Sequence, residues 1–225
     1  MEDETLIKPI SKKSSKVVTA LSKKEENNLI KILLSNYHEY NDIILLQLYT
    51  GMRIGEVLAL SKDCIDFKNN TITIYRTITK DKDGNTILGE HTKTYDKKTG
   101  IDKGKRTFPM RNDVQKIIKR HYSNKIINIH NLLFWDYNKN FFITASEVNS
   151  YLSRLNEKYE ILNSKMETLS THRLRHTFVT RCQENGLSLP VIQKLVGHIQ
   201  GSKITNNVYT DISFDFINQE LSKIK

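Results

Sequence analysis

Thr171-His172-Arg173-Leu174-Arg175-His176 is the stretch on which the reading of this 225-residue chain turns. Thr171 can cap a helix, and neither Gly nor Pro follows until Gly186, where the helix should end. On such a helix His172 and Arg175, three residues apart, share a face. Leu195-Val196-Gly197-His198 follows on a second helical unit that begins near Leu189, and an isolated phenol comes after it at Tyr209. A planar guanidinium at Arg175 can hold two non-bridging phosphate oxygens at once, and His172 could reach the same phosphate. Near neutral pH only about one free tyrosine in a thousand is ionised, so an attacking Tyr209 needs a base or cations beside it. The spacing of His172 and His176 also suits zinc. However, Arg173 and Arg175 flank the pair and the Glu of an HExxH pattern is missing. No metal is expected, and His176 is read as a packed core histidine.

Upstream, the polar residues 1–20 read as a flexible arm or linker remnant, and residues 21–225 as one domain. Ser22 and Glu25 form a capping-box pattern ahead of the apolar stripe Leu29, Ile32 and Leu33. A second helix should run from about Tyr40 to Thr50 and stop at Gly51, and a third from about Arg53 to Leu60. Gly51 and Gly55 flank Arg53, which suggests close approach of another part of the backbone. Glu56 lies three residues after Arg53 and could orient it. Thr71 to Ile78 alternates and is rich in β-branched residues, as a half-buried strand should be. Asp83-Gly84-Asn85 marks a hairpin turn, Thr86 to Thr94 a returning strand, 95–105 an extended loop, and Thr107 to Pro109 a third strand. Further helices are expected from Asn112 or Asp113 and from Ser146, and a last one places Phe214, Ile217, Leu221 and Ile224 on one face. The pattern predicts an α+β fold, mainly α, with a small antiparallel β-sheet.

The net charge of +10 favours nucleic acid or an anionic surface as partner, with a merely solvated basic surface as the equal alternative. No apolar run approaches the roughly 20 residues that span a bilayer, so no membrane partner is expected. Cys64 and Cys182 alone make a disulfide framework improbable and fit a reducing cytoplasm.

Taken together, Gly51-Met52-Arg53-Ile54-Gly55-Glu56, Lys93 between threonines, Arg106-Thr-Phe-Pro-Met110, His172 to His176, Leu195 to His198 and Tyr209 resemble the boxes of the tyrosine recombinase (phage integrase) family, in its order and spacing. The resemblance spans about residues 20–220 and implies a helical tyrosine recombinase catalytic domain. It implies that Arg53 and Arg175 clamp a scissile phosphate of double-stranded DNA. Tyr209 would then attack in line, leaving a 3′-phosphotyrosine and a free 5′-hydroxyl. His172 would act as general base, His198 would hydrogen-bond a phosphate oxygen, and Lys93 would protonate the leaving oxygen. Glu56 would support Arg53, while Lys98, Lys103, Lys105, Arg106 and Arg173 would contact DNA. Neither metal nor ATP would be required, since cationic side chains replace the metal and the phosphotyrosine stores the bond energy.

The chain departs from the family pattern in two places. The interval from Lys93 to Arg106 is long, and Lys98 offers a second match for the hairpin lysine. Lys93 is favoured because it should sit at a strand end. Family members also usually carry a separate helical DNA-binding domain ahead of the catalytic one, and residues 1–20 cannot be that domain, so a catalytic fragment and a short member are both open. The family's habit of docking its last helix on a neighbour implies a homo-tetramer on DNA. A non-cutting DNA-binding regulator and a type IB topoisomerase-like relaxing enzyme are the alternatives in function.

Overall fold

Helix α2 (Asn41–Thr50) is apolar on every side, with Ile43, Ile44, Leu45, Leu46 and Leu48 all buried. A helix of that kind belongs at the centre of a core. The computed structural model describes residues 19–123, 128–164, 167–197 and 212–224. Within it, α1 (Lys23–Ser35), α3 (Ile54–Leu58), α4 (Asn112–Tyr122) and α6 (Thr171–Glu184) pack on α2. Helix α5 (Ala145–Tyr159) packs on α6, as does α7 (Leu189–Val196), and α8 (Phe214–Leu221) closes the described chain. The arm expected at 1–20 falls almost wholly outside the described residues.

The capping box of α1 is present as its sequence predicts: the backbone N–H of Ser22 donates to Glu25 Oε2 at 2.8 Å. Three other starts are displaced. Ser170 rather than Thr171 caps α6, Thr144 rather than Ser146 opens α5, and Arg111 precedes α4 without a side-chain cap. Gly51 ends α2 at φ 64°, in the left-handed region, and a Cβ there would lie 2.2 Å from the ring of Phe178. Gly55 likewise abuts the carbonyl of Ile78. Another stretch of backbone therefore does close on Gly55, as inferred, whereas the neighbour of Gly51 is a side-chain ring of α6.

The expected strand 71–78 is two strands. Strand β2 (Thr71–Ile74) lies between β1 (Ile65–Asp66) and β7 (Arg106–Pro109) in one antiparallel sheet. Strand β3 (Thr77–Lys80) pairs with β4 (Thr86–Gly89) in another. The chain changes sheets at Tyr75 and Arg76, whose side chains turn to Asp63, and Arg76 also to Ser61. Side-chain alternation continues through both halves, so periodicity could not show the break. The extended loop expected at 95–105 also contains structure, a small hairpin of β5 (Tyr95–Asp96) and β6 (Ile101–Asp102).

Register fixes what β7 offers to the interior. Ile72 pairs with Phe108 and Ile74 with Arg106, which places Arg106 on the inward face with Phe108. Helix α8 packs on β7 and buries Ile217 and Leu221. Ser188 N–H donates to Glu220 Oε2 at 2.7 Å, which ties α8 to the start of α7.

Candidate active site

The last carbonyls of an α-helix have no intrahelical donor, and the aligned peptide dipoles make that end negative. At the end of α7 three arginines supply what is missing. Arg106 Nε donates to the carbonyl of Leu195 at 2.7 Å, Arg175 Nη2 to that of Val196 at 2.6 Å, and Arg53 Nη2 to that of Gly197 at 3.0 Å. Three successive carbonyls thus gather side chains from β7, from α6 and from the residue that opens α3. Gly197 permits the approach. It lies at φ 65°, and a Cβ there would come within 2.8 Å of Arg106 Nη1.

A single carboxylate sits among them. Glu56 Oε1 accepts from Arg53 Nη1 at 3.0 Å and from Arg106 Nη1 at 3.2 Å, and Oε2 accepts from Arg106 Nη2 at 2.7 Å. Oε2 also takes the Arg53 backbone N–H at 3.0 Å. Burial by itself would raise the pKa of Glu56, but Arg106 and then Arg53 outweigh it and hold the carboxyl below its ordinary range. Arg175 has no carboxylate of its own. Its second bond, from Nη1, goes to the carbonyl of Gly51 at 2.7 Å. Burial, with Arg53 next and opposed by Glu56, pulls its pKa down to about 9, still cationic at neutral pH. Three guanidiniums therefore face one carboxylate, and the half-buried Arg53 is the one that reaches solvent.

His172 lies exposed on α6 with its Nε2 3.2 Å from Nε2 of His176. The expectation that His176 is a core residue is corrected: it too is exposed, because i and i+4 share the outer face of α6. Its pKa is lowered by partial burial, then by His172 and Arg175. Among the described residues no group of three or more His, Cys, Asp or Glu could hold a metal ion.

Lys93 is exposed and lies in a turn beyond β4, not at a strand end. What fixes that turn is its neighbour Thr92, which is buried. The Thr92 N–H donates to Asp102 Oδ2 at 2.8 Å and its hydroxyl to Oδ1 at 2.5 Å. Asp102 Oδ1 also accepts from Gly104 N, and the carbonyl of Gly104 accepts from Arg106 Nη1 at 2.9 Å. The backbone beside Lys93 is thereby linked to the arginine cluster. Lys98 instead occupies the turn of the β5–β6 hairpin, at its far end. Lys98, Lys103 and Lys105 are all exposed.

Two of the expected DNA contacts are placed otherwise. Arg106 is buried in the cluster just described, and Arg173 is buried against Glu167 and Thr19. Residues i and i+2 of a helix point to nearly opposite sides, so Arg173 faces away from Arg175. Neither guanidinium is on the surface. Sequence reasoning named Arg106 as a DNA contact and missed its place inside the cluster, although its alternation with Phe108 was the available signal. His198 and Tyr209 lie outside the described residues.

Residues 19–215 match the Phage integrase family. The chain is 28% identical over 216 residues to the transposase from transposon Tn916 of Enterococcus faecalis, covering 92% of this chain and 51% of that protein. It is 32% identical over 222 residues to the integrase of Staphylococcus phage L54a, covering 92% and 59%. The chain thus spans about half the length of the curated relatives it matches. The integrase of transposon Tn1549, solved in complex with a circular intermediate DNA, has the same fold, with a TM-score of 0.70 at 24% identity over 94% of this chain and 69% of that one. No helix among the described residues is long and apolar enough to cross a membrane. With the family profile matched over most of its length, the chain belongs to the phage integrase family of tyrosine recombinases.

Proposed function

We propose that this chain is a site-specific recombinase domain, residues 21–225, that cuts and rejoins double-stranded DNA through Tyr209. One observation carries the reading: Arg53 and Arg175 hang from adjacent carbonyls at the end of α7, within a cluster of three cations around one carboxylate. Such a site carries more positive charge than Glu56 neutralises. A phosphodiester gaining negative charge in a pentacoordinate transition state balances that excess. Tyr209 attacks the phosphorus and forms the 3′-phosphotyrosine. His172 takes the phenolic proton, Lys93 gives one to the departing 5′-oxygen, and His198 hydrogen-bonds a phosphate oxygen. Glu56 holds Arg53 in place, and rejoining runs the same steps in reverse without metal or ATP. Lys98, Lys103 and Lys105 line the DNA path.

Trapping tests this reading. The wild-type chain should form a covalent adduct with a nicked suicide duplex, and Tyr209→Phe should form none while still binding DNA. An undiminished adduct in the variant would sink the assignment. The domain works in the cytoplasm, as a tetramer on DNA formed through the C-terminal segment. Phe214 and Phe216 support that assembly, because they stay exposed although α8 packs on its own β7. Replacing both by Ser should reduce the size of the DNA complex, measured by light scattering.

A further inference from the structure

The cluster contains one group to which the proposed chemistry gives no part. Arg106 makes four hydrogen bonds, to both oxygens of Glu56, to the carbonyl of Leu195 and to the carbonyl of Gly104. Its side chain is 4% exposed and that of Glu56 0%, so neither touches DNA. Arg53 by contrast is partly open. The four bonds of Arg106 reach three different parts of the site. Glu56 is the carboxylate that holds Arg53, Leu195 is in the last turn of α7 just ahead of the carbonyls that hold Arg175 and Arg53, and Gly104 leads through Thr92 to the turn of Lys93.

We propose that Arg106 is a positioning residue for strand cleavage. It neutralises and orients Glu56, so that Glu56 aligns Arg53, and it pins the end of α7 and the lysine turn to one another. This rests on the reading of the chain as a recombinase and deepens it. A lysine could supply the charge but not the geometry, because only a planar fork spans both carboxylate oxygens while its Nε reaches a third acceptor. Without Arg106, Glu56 would be a buried carboxylate with Arg53 as its direct partner and Arg175 as the remaining charge from the elements packed around it. Its pKa would then rise. A protonated Glu56 no longer holds Arg53 as an anion.

The test compares Arg106→Lys and Arg106→Gln with wild type in single-turnover cleavage of the suicide duplex between pH 5 and 8, with DNA affinity and thermal melting measured on the same samples. Expected is a fall of at least about 10-fold in cleavage rate at pH 7 with DNA affinity within a few-fold of wild type. In Arg106→Gln, which removes the charge, the acidic side of the pH–rate profile should also lie at higher pH than in wild type. Combining either variant with Glu56→Gln should add little further loss, and in the Arg106→Gln background it should return the acidic side of the profile to its wild-type position, because the two residues act as one unit. A variant that folds and cleaves at the wild-type rate with an unchanged profile overturns the proposal. So does full additivity with Glu56→Gln. Should Arg106→Gln fail to fold, Arg106→Lys decides by cleavage rate and by additivity with Glu56→Gln, and collapse of both variants overturns a role specific to cleavage. Absence of any adduct with the wild-type chain would instead overturn the recombinase reading, so the two failures are separable.

Discussion

The arginine cluster and the β5–β6 hairpin carry the same sign of charge in opposite ways. In the cluster every guanidinium is held by named acceptors at 2.6–3.2 Å, and the one carboxylate is shared. On the hairpin Lys98 and Lys103 stand in solvent, while the local acids are consumed by backbone: Asp96 accepts from Lys98 N–H, and Asp102 from Thr92 and Gly104. Held cations give direction. Free cations give only field, which steers a polyanion and is screened by salt. The difference teaches that net charge and catalytic charge are separable properties of this chain.

The sharpest attempt to break that comparison exchanges the charge carrier. Arg175→Lys should lower the single-turnover cleavage rate by on the order of 1000-fold, since one ammonium cannot reach the carbonyls of both Gly51 and Val196 and still face a phosphate. A lysine tolerated there within 10-fold would show that field suffices. The next effect down comes from geometry alone. Gly197→Ala places a Cβ against Arg106 in a left-handed conformation, so it should cost about 1–3 kcal/mol in chemical denaturation and slow cleavage without altering any charge. The smallest belongs to the hairpin. Ala at Lys98 or Lys103 should reduce the slope of log affinity against log salt by about one each, leaving the cleavage rate at saturating DNA unchanged.

Much of the cluster was legible. Arg53, Glu56 and Arg175 were recognisable from residue type and helical spacing, and Gly51 and Gly55 announced close contacts that exist with Phe178 and Ile78. Arg106 was misread because a basic residue near a DNA site suggests a surface contact, whereas its place opposite Ile74 on an inward face overrides that. Arg173 was misread for a related reason: two arginines one residue apart look like one patch, yet the helix sends them to opposite sides. His176 erred the other way, its imidazole facing solvent beside His172 rather than the core. The break of the long strand at Tyr75 depends on side-chain partners at Ser61 and Asp63 that come from another element. No local pattern encodes such a partner.

The end of α7 has a consequence for how this site tolerates change. The groups that receive Arg106, Arg175 and Arg53 are peptide oxygens of residues 195–197. A substitution can alter the side chain at such a position but cannot remove its carbonyl. The template that spaces the three arginines is therefore shielded from most point mutations and vulnerable only where the backbone path itself is at stake, as at Gly197. Sequence drift across α7 can repack the core beneath it while the reach between the phosphate-facing groups stays set by the backbone where the helix ends in the left-handed turn at Gly197.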